Sequence, residues 1–225
     1  MAAMTVRPAP TSSERRPRGR PARSATVDTE ALLKNARQVF AKRGFDATSV
    51  REIARDAGVD PALMAHYFGS KEALWGAVVG QIVEQTAPMI RATAQLRQSD
   101  LGSRRRVEQA LVIFIDRVFS EPDISLFFST AATEHGERLA FLIERLVRPY
   151  HDVFIPLLTD AMKSGELACD DPEVTYWMLL NAISKTVSYS HVLAAFSSLP
   201  GRPAAFKRTV LASVLNMLGP VPQSS

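Results

Sequence analysis

Cysteine is nearly absent from this chain, since Cys169 is the single one among its 225 residues. One thiol cannot form an internal disulfide, and such a composition is typical of a reducing compartment. The longest apolar run, Ala110 to Ile115, has six residues, whereas a membrane-spanning helix needs about 20. The first residues also lack the apolar stretch of a signal peptide. We therefore expect no membrane span, no export and a cytoplasmic location.

The sequence also lacks the short motifs that mark common catalytic sites. It contains no Gly-rich phosphate loop, no G-x-S-x-G and no H-E-x-x-H. Its four His residues are scattered, and Cys169 lies among acidic residues, whose charges disfavour a thiolate. The group Glu134-His135-x-Glu137 is more typical of a solvated turn than of a metal site. We predict no enzymatic activity, no metal and no cofactor.

Positive charge is concentrated at the N-terminus. The formal net charge is +4, and residues 1–27 contain six Arg and one Glu, a net of +5. Subtracting +5 from +4 leaves −1 for the remaining residues. A basic segment of this kind is typical of an arm that contacts nucleic acid.

Residues 1–26 are predicted to form a disordered basic arm, because they are rich in Pro, Arg, Ser and Ala and can bury little apolar surface. Within the arm, Arg18-Gly19-Arg20-Pro21 resembles an AT-hook, in which Arg18 and Arg20 would enter the minor groove of A·T-rich DNA. The alternative is a solvated leader that touches DNA only loosely.

The rest of the chain has helical periodicity and no alternating, strand-like runs, so we predict an all-α fold. Pro88 is expected to kink or end the long helix that begins at Lys71, and Pro149 and Pro156 are expected to kink or break a later one. The predicted helices span about 28–43, 49–57, 61–68, 71 to beyond 83, 104–120, 123–134, 138–163, 171–196 and 204–218.

Residues 48–71 contain the most specific pattern in the sequence. Ser49 and Glu52 have the S-x-x-E spacing of a capping box, which begins one short helix. Asp60 can cap a second helix, and Pro61 suits its first turn. Two short helices joined by a three-residue turn form a helix-turn-helix, whose second helix enters the major groove of DNA.

The stretch SVREIARDAGVDPALMAHYFGSKEAL resembles the signature of the TetR family of transcriptional regulators. The matching elements are Ile53-Ala54, Ala57-Gly58-Val59, His66-Tyr67-Phe68 and Gly69-Ser70-Lys71-Glu72-Ala73-Leu74. The resemblance implies a three-helix DNA-binding domain at residues 27–72 and a helical ligand-binding and dimerisation domain at residues 73–225.

The resemblance also implies which residues would contact a double-stranded DNA operator. Tyr67 can alternatively pack against the first helix of the motif, and His66 alone would be a weak candidate. The DNA-contacting residues implied by the family pattern are Ser49, Arg51, Pro61, Ala62, Ala65, His66, Tyr67 and Lys71.

The second helix of the motif departs from the family pattern. The family often has Tyr where Ala65 stands and a polar or basic residue near Pro61, so this helix has few donors for purine edges. Ala62, Leu63 or Ala65 can still contact thymine methyl groups. We hypothesise that the arm supplies part of the affinity. Deleting residues 1–24 should then weaken operator binding and flatten its salt dependence, and an unchanged salt slope would contradict the hypothesis.

In TetR-like proteins the C-terminal helices bind a small molecule and form the dimer, so the resemblance implies a largely apolar effector and a homodimer. The last two helices, with a stripe of Phe206, Val210, Val214 and Met217, are the expected dimer interface. Each candidate pocket residue can alternatively be an ordinary core residue. The candidates are Phe114, Phe127, Phe128, His135, Tyr150, His151, Trp177 and Asn181.

The predicted function is a sequence-specific transcriptional regulator, a repressor that a small-molecule effector releases from its operator. Effector binding would tilt the helix that begins at Lys71 and move the two DNA-binding heads apart. The alternative is a DNA-architectural protein that depends on the basic arm, with weak sequence preference.

Overall fold

The computed structural model describes residues 28–219, and every regular element in that part of the chain is helical. The predicted basic arm, including Arg18 and Arg20, lies outside the described residues. A π-helical turn, Ile143–Val147, links α7 to α8, and a 3-10 turn, Leu199–Gly201, precedes α11. The helices are α1 Thr29–Arg43, α2 Val50–Asp56, α3 Pro61–Phe68, α4 Lys71–Leu96, α5 Ser103–Ser120, α6 Pro122–Ala131, α7 Gly136–Leu142, α8 Arg148–Lys163, α9 Pro172–Ser188, α10 Ser190–Leu193 and α11 Pro203–Met217.

Side-chain caps fix where several helices begin. Asp28 accepts a hydrogen bond from the backbone N–H of Ala31 at 3.0 Å and starts α1. Asp171 accepts from the N–H of Val174 at 2.8 Å and starts α9, with Pro172 in the first turn. These bonds satisfy backbone donors that have no partner inside the helix. The predicted starts of these helices are therefore confirmed.

Proline disturbs the long helices less than the sequence suggests. Pro88 lies inside α4, which continues to Leu96, and Pro156 lies inside α8. Residues on both sides of Pro88, such as Ile82 and Ile90, pack into apolar clusters. We attribute the continuation to this packing, which offsets the lost backbone hydrogen bond. Near Pro149 the helix does not break, since it passes through the π-helical turn Ile143–Val147 and continues as α8.

The prediction of one helix from residue 171 to residue 196 is wrong at its C-terminal end. α9 ends at Ser188, Tyr189 leaves the helical conformation with a ψ of 23°, and the short α10 follows. The N–H of Tyr189 still bonds to the carbonyl of Lys185, at 2.9 Å. Neither Gly nor Pro lies at this bend, so no residue type in the sequence marks it.

Two apolar clusters organise the described chain. The first surrounds α1, α2 and α3 and includes α4 as far as Ile82, together with Phe127 of α6. The second is formed by α5, α8, α9 and α11, with Phe154 and Ile183 fully buried in it. The first cluster crosses the expected domain boundary between residues 72 and 73, so the head formed by α1, α2 and α3 is packed continuously against α4 and α6.

α6 lies between the two clusters and is the main contact of α1 outside its own domain. The hydroxyl of Thr130 donates to the carbonyl of Ala41 at 2.8 Å. Phe127, on the same helix, packs against Trp75 of α4 with ring centroids 6.1 Å apart. In the described residues no helix is both long and apolar enough to cross a membrane.

Candidate nucleic-acid interface and effector cavity

A reciprocal capping box begins α2. The Ser49 hydroxyl accepts from the N–H of Glu52 at 3.2 Å, and the Glu52 carboxylate accepts from the N–H of Ser49 at 2.9 Å. The hydrogen bonds from Ser49 hold the pKa of Glu52 below its usual value. The capping box predicted from the sequence is therefore present, and it fixes the orientation of the first helix of the motif.

The turn between α2 and α3 depends on a glycine. Gly58 has a φ of +68°, in the left-handed region that favours glycine. The N–H of Val59 returns to the carbonyl of Ala54 at 2.9 Å, which closes the turn. Asp60 then accepts from the N–H of Ala62 at 2.8 Å and starts α3 with Pro61 at its first position. Local chemistry thus sets the angle between the two helices.

One side of α3 is buried and the opposite side is exposed. Met64 is fully buried against Ile53 and Ala54 of α2. The exposed side contains Pro61, Ala62, Ala65, His66 and Tyr67. α3 therefore presents a protruding and largely uncharged surface.

Tyr67 is 49% exposed, which leaves its ring accessible on α3. The ring contacts those of its sequence neighbours His66 and Phe68, with centroids 5.8 and 6.4 Å away. It therefore remains available to a partner. The predicted roles of His66 and Tyr67 in DNA contact stay predictions.

Lys71, predicted to bind a phosphate, is engaged within the protein. Its ammonium group donates to the carbonyl of Phe45 at 3.0 Å and lies 4.2 Å from the centroid of the Phe45 ring. The helix that it begins is capped by Ser70, whose hydroxyl accepts from the N–H of Ala73. Lys71 therefore ties α4 to the end of α1, and a phosphate contact would have to compete with these bonds.

Ser49 and Arg51 lie on the exposed side of α2. The Ser49 hydroxyl also donates to the Glu52 carboxylate, at 2.9 Å, so it is occupied by the capping box. Arg51 is exposed, while Arg43 nearby lies 3.9 Å from Glu52 and 3.7 Å from Asp56. Arg51 is therefore the better placed of the two predicted residues to meet a phosphate.

A mainly apolar cavity of about 130 Å³ lies between α4, α5, α6, α9 and the end of the π-helical turn. Its walls are aromatic and aliphatic side chains with a few hydroxyls and one amide. The lining residues are Ile82, Thr86, Met89, Ile90, Phe114, Ile124, Ser125, Phe128, Ser129, Leu146, Val147, Tyr150, Tyr176, Trp177, Leu180, Asn181 and Ser184.

Five of the predicted pocket residues lie together in this lining: Phe114, Phe128, Tyr150, Trp177 and Asn181. The rings of Phe114 and Tyr150 are stacked, with centroids 5.4 Å apart. Burial raises the pKa of the Tyr150 phenol far above its usual value, so the phenol stays neutral.

The remaining predicted pocket residues lie outside the cavity. Phe127 is turned toward the first apolar cluster, because it is one residue away from the cavity side of α6. His151 lies at the surface of α8 between two carboxylates, 2.9 Å from Asp152 and 2.8 Å from Glu173. His135 is exposed just before α7.

The pKa of His151 reflects opposing effects. Burial lowers it, but the hydrogen bonds with Asp152 and Glu173 outweigh burial, so the pKa of His151 is raised above its usual value. The side chain therefore joins α8 to α9 by hydrogen bonds, and the contact becomes an ion pair when the ring is protonated.

A buried ion-pair cluster, which no sequence pattern predicts, connects α1 to the cavity walls. Arg37 is fully buried and donates to Glu121 at 2.9 Å and to Asp123 at 3.0 Å. It also donates to Gln85 of α4 at 2.7 Å. Its partners are separated from it by 48 to 86 residues in the chain, so no local pattern could have revealed them.

The small polar lining residues were also missed. Ser125 and Ser129 stand four residues apart on α6, and Asn181 and Ser184 stand three apart on α9. Spacings of three and four place side chains on one helix face. A polar pair at such a spacing on an otherwise apolar helix is a signal that the sequence did contain.

A family model described as bacterial regulatory proteins, tetR family, matches residues 32–78 of the chain. This match covers most of α1, all of α2 and α3, and the first part of α4. It therefore coincides with the helix-turn-helix and its supporting helices.

Known proteins are similar over most of the chain. The HTH-type transcriptional regulator RutR of Escherichia coli strain K12 is 22% identical over 200 residues, which cover 89% of this chain and 92% of RutR. The solved structure of HlyIIR, a hemolysin II transcriptional regulator, matches with a TM-score of 0.63 and 19% identity over 85% of this chain and 96% of HlyIIR.

The regulator FadR of Bacillus subtilis, solved in complex with stearoyl-CoA, matches with a TM-score of 0.58 and 17% identity. That match covers 83% of this chain and 97% of FadR. At these identities the two solved structures show a shared fold, in which an N-terminal helix-turn-helix domain precedes a helical C-terminal domain.

Proposed function

Because the chain belongs to the tetR family of bacterial regulatory proteins, we propose that it is a DNA-binding regulator of transcription, a repressor that a small molecule releases from its operator. The observation that carries the proposal is the exposed side of α3 on a rigid head. Its backbone is fixed by capping at Ser49 and Asp60 and by the turn at Gly58. An exposed, rigidly held second helix is what major-groove recognition needs.

The chemistry of α3 favours shape and apolar contacts over bidentate hydrogen bonds. Pro61, Ala62 and Ala65 allow close approach to base edges, and thymine methyl groups are their natural partners. His66 and Tyr67 are the exposed polar groups at the end of the helix. Arg51 of α2 is placed to meet a phosphate, and phosphate contacts fix the register of the helix without specifying the sequence.

A homodimer through α9 and α11 would present two such heads to a pseudo-palindromic operator. Val174 and Met178 of α9 are 56% and 57% exposed, and Met217 of α11 is 48% exposed. The apolar stripe expected at the interface is turned inward, since Phe206, Val210 and Val214 are buried in the second apolar cluster. The exposed side of α11 offers the small residues Ala212 and Ser213 instead, which let two helices approach closely.

Ligand-induced release of the protein from its operator would involve movement of α6 as well as of α4. Ser125, Phe128 and Ser129 of α6 line the cavity, while Thr130 of the same helix bonds to Ala41 of α1. A ligand that displaces α6 therefore shifts the DNA-binding head directly. The shift is limited by the difference in ligand affinity between the free and the operator-bound conformations.

The α3 surface is tested with two substitutions in the full chain. Ala65→Glu places a negative charge on the exposed side of α3 and should weaken binding to a duplex from the chain's own upstream region by more than about tenfold. Ala132→Glu, at an exposed position after α6, should leave binding unchanged. Gel-shift titration measures both, and thermal unfolding confirms that both variants fold.

Equal binding by the two variants would contradict the assignment of α3. Binding of similar strength to unrelated duplexes by the unmodified chain would contradict sequence-specific regulation, and would favour an architectural role.

A further inference from the structure

The cavity of about 130 Å³ has a lining without ionised groups. Among the described residues that form it there is no Asp, Glu, Lys, Arg or His. Its two phenols, Tyr150 and Tyr176, have pKa values raised by burial, so they carry no charge at neutral pH. A charged ligand entering this space would lose its hydration without gaining an opposite charge, which is costly.

Two charged side chains that are close in sequence to lining residues are engaged with other groups. Arg117, one turn from Phe114 on α5, donates to Gln85 at 3.5 Å and lies near the carboxylates of Glu121 and Asp123. Lys185, next to Ser184 on α9, has its ammonium group 5.3 Å from the ring centroid of Tyr189. Neither side chain belongs to the lining.

Polar atoms are nevertheless present, and they are neutral. The hydroxyl of Thr86 on α4 donates to the carbonyl of Ile82 at 2.8 Å within its own helix, so the polar groups left for a ligand are mainly those of α6 and α9. Ser125 and Ser129 of α6 face the cavity together with Asn181 and Ser184 of α9. The amide nitrogen of Asn181 donates to the carbonyl of Trp177 at 2.8 Å. That bond fixes the amide and leaves its oxygen as an acceptor. The opposite walls, from α4 and α5, contribute Met89, Ile90, Phe114 and similar apolar side chains.

Size and shape limit the ligand further. An apolar cavity of roughly 150 Å³ holds a ligand the size of benzene. Five of the lining residues are aromatic, and aromatic pairs prefer stacked or edge-to-face arrangements with a flat ring. The exposed residues Trp177 and Asn181 mark the side on which the cavity is open.

We infer that the cavity takes an uncharged ligand with a flat, ring-sized apolar body and one neutral hydrogen-bonding group, such as a ketone or hydroxyl, directed to the polar side formed by α6 and α9. This inference rests on the proposed role of the cavity as the effector site. It excludes ionised carboxylates, amines and phosphates from the buried part of the ligand.

The test uses three probes of nearly equal size and shape that differ in charge. Acetophenone is neutral, benzoate is an anion and benzamidine is a cation at neutral pH. Titration calorimetry with the full chain should give an affinity for acetophenone at least about tenfold higher than for either ion, a difference of about 1.4 kcal/mol. An equal or higher affinity for either ion, or no binding of acetophenone, would overturn the inference.

Two substitutions test whether the probes bind in this cavity. Asn181→Asp adds a negative charge at the open side with little change of shape, so it should weaken acetophenone binding and strengthen benzamidine binding. Gln98→Glu, at an exposed position after the end of α4 and outside the lining, should change neither affinity. Identical probe affinities in the two variants would mean that the ligand binds elsewhere, and would overturn the inference. Thermal unfolding checks that both variants fold.

Gel-shift titration without any probe keeps this inference separate from the proposed function. If the chain binds its operator but prefers benzoate, only the ligand class is wrong. If it prefers acetophenone but binds no duplex, the proposed function fails and the chemistry of the cavity stands.

Discussion

At the residue scale, Arg37 is the side chain on which the contact between the head and the C-terminal domain most depends. A fully buried guanidinium is tolerated only when carboxylates and other acceptors compensate for its lost hydration. Glu121, Asp123 and Gln85 provide that compensation at 2.7 to 3.0 Å. These partners come from α4 and from the beginning of α6. The Arg37 side chain therefore links α1 to two helices next to the cavity.

Replacing Arg37 should therefore be costly. Arg37→Met leaves two carboxylates and an amide without their common partner, and should lower the free energy of unfolding by about 3 kcal/mol. Lys34→Met is the matched control, because Lys34 approaches Glu121 only at 3.8 Å and is half exposed. Its effect should stay below about 1 kcal/mol. Denaturant unfolding measures both, and similar losses in the two variants would contradict the account.

His151 predicts a pH dependence whose sign follows from its raised pKa. Its contribution to stability is complete below the pKa of the unfolded state, about 6.5, and is lost as pH rises through the higher pKa of the folded state. The stability difference between the unmodified chain and His151→Gln should therefore be larger at about pH 5.5 than at about pH 8.5, by up to about 1 kcal/mol. Thermal unfolding at the two pH values would contradict this if the difference grew with pH.

At the element scale, the helix-turn-helix is held by local bonds. Ser49→Ala removes the capping box of α2, and should cost about 1 kcal/mol of stability. Ser120→Ala, at the exposed C-terminal end of α5, should cost close to nothing. Because α2 supports α3 through Ile53 and Met64, the capping variant should also bind its operator more weakly. Equal unfolding midpoints for the two variants would mean that the cap is unimportant.

Because helix caps bond to residues close in the sequence, they also explain which parts of the fold could be predicted. The beginnings of α1, α2, α3 and α9 depend on Asp28, Ser49, Asp60 and Asp171, each within three residues of the N–H that it accepts from. Such signals lie in the sequence itself. The end of α9 at Ser188 has no comparable signal, since neither Gly nor Pro lies at Tyr189, where the helix bends.

The two candidate sites, the exposed side of α3 and the cavity, also differ in how far local sequence patterns predict them. The exposed side of α3 could be predicted, because helical periodicity separates Met64 from Ala62 and Ala65. Aromatic residues predicted the cavity lining only in part, because Phe128 lines the cavity whereas its neighbour Phe127 packs into the first apolar cluster. Distinguishing the two requires knowledge of which helices lie on each side of α6. That information depends on contacts between residues more than 80 positions apart, such as Arg37 with Asp123.

At the scale of the whole molecule, the proposed regulator requires two subunits. Met178→Arg places a charge on the exposed apolar side of α9, where the homodimer is proposed to form, and should produce a monomer. Operator affinity should then fall by more than about tenfold, because one head loses the effective concentration supplied by the other. Sedimentation measures the mass and gel shift the affinity. A variant that stays dimeric would contradict the proposed interface.

Hydroxyl-radical footprinting of the chain on the DNA upstream of its own gene tests the central claim most directly. The account predicts two protected segments whose centres are about 34 Å, or a multiple of that distance, apart. Both should disappear with Ala65→Glu and remain with Ala132→Glu. Protection that is absent, that spreads evenly along the duplex, or that persists with Ala65→Glu would contradict the claim that α3 recognises DNA.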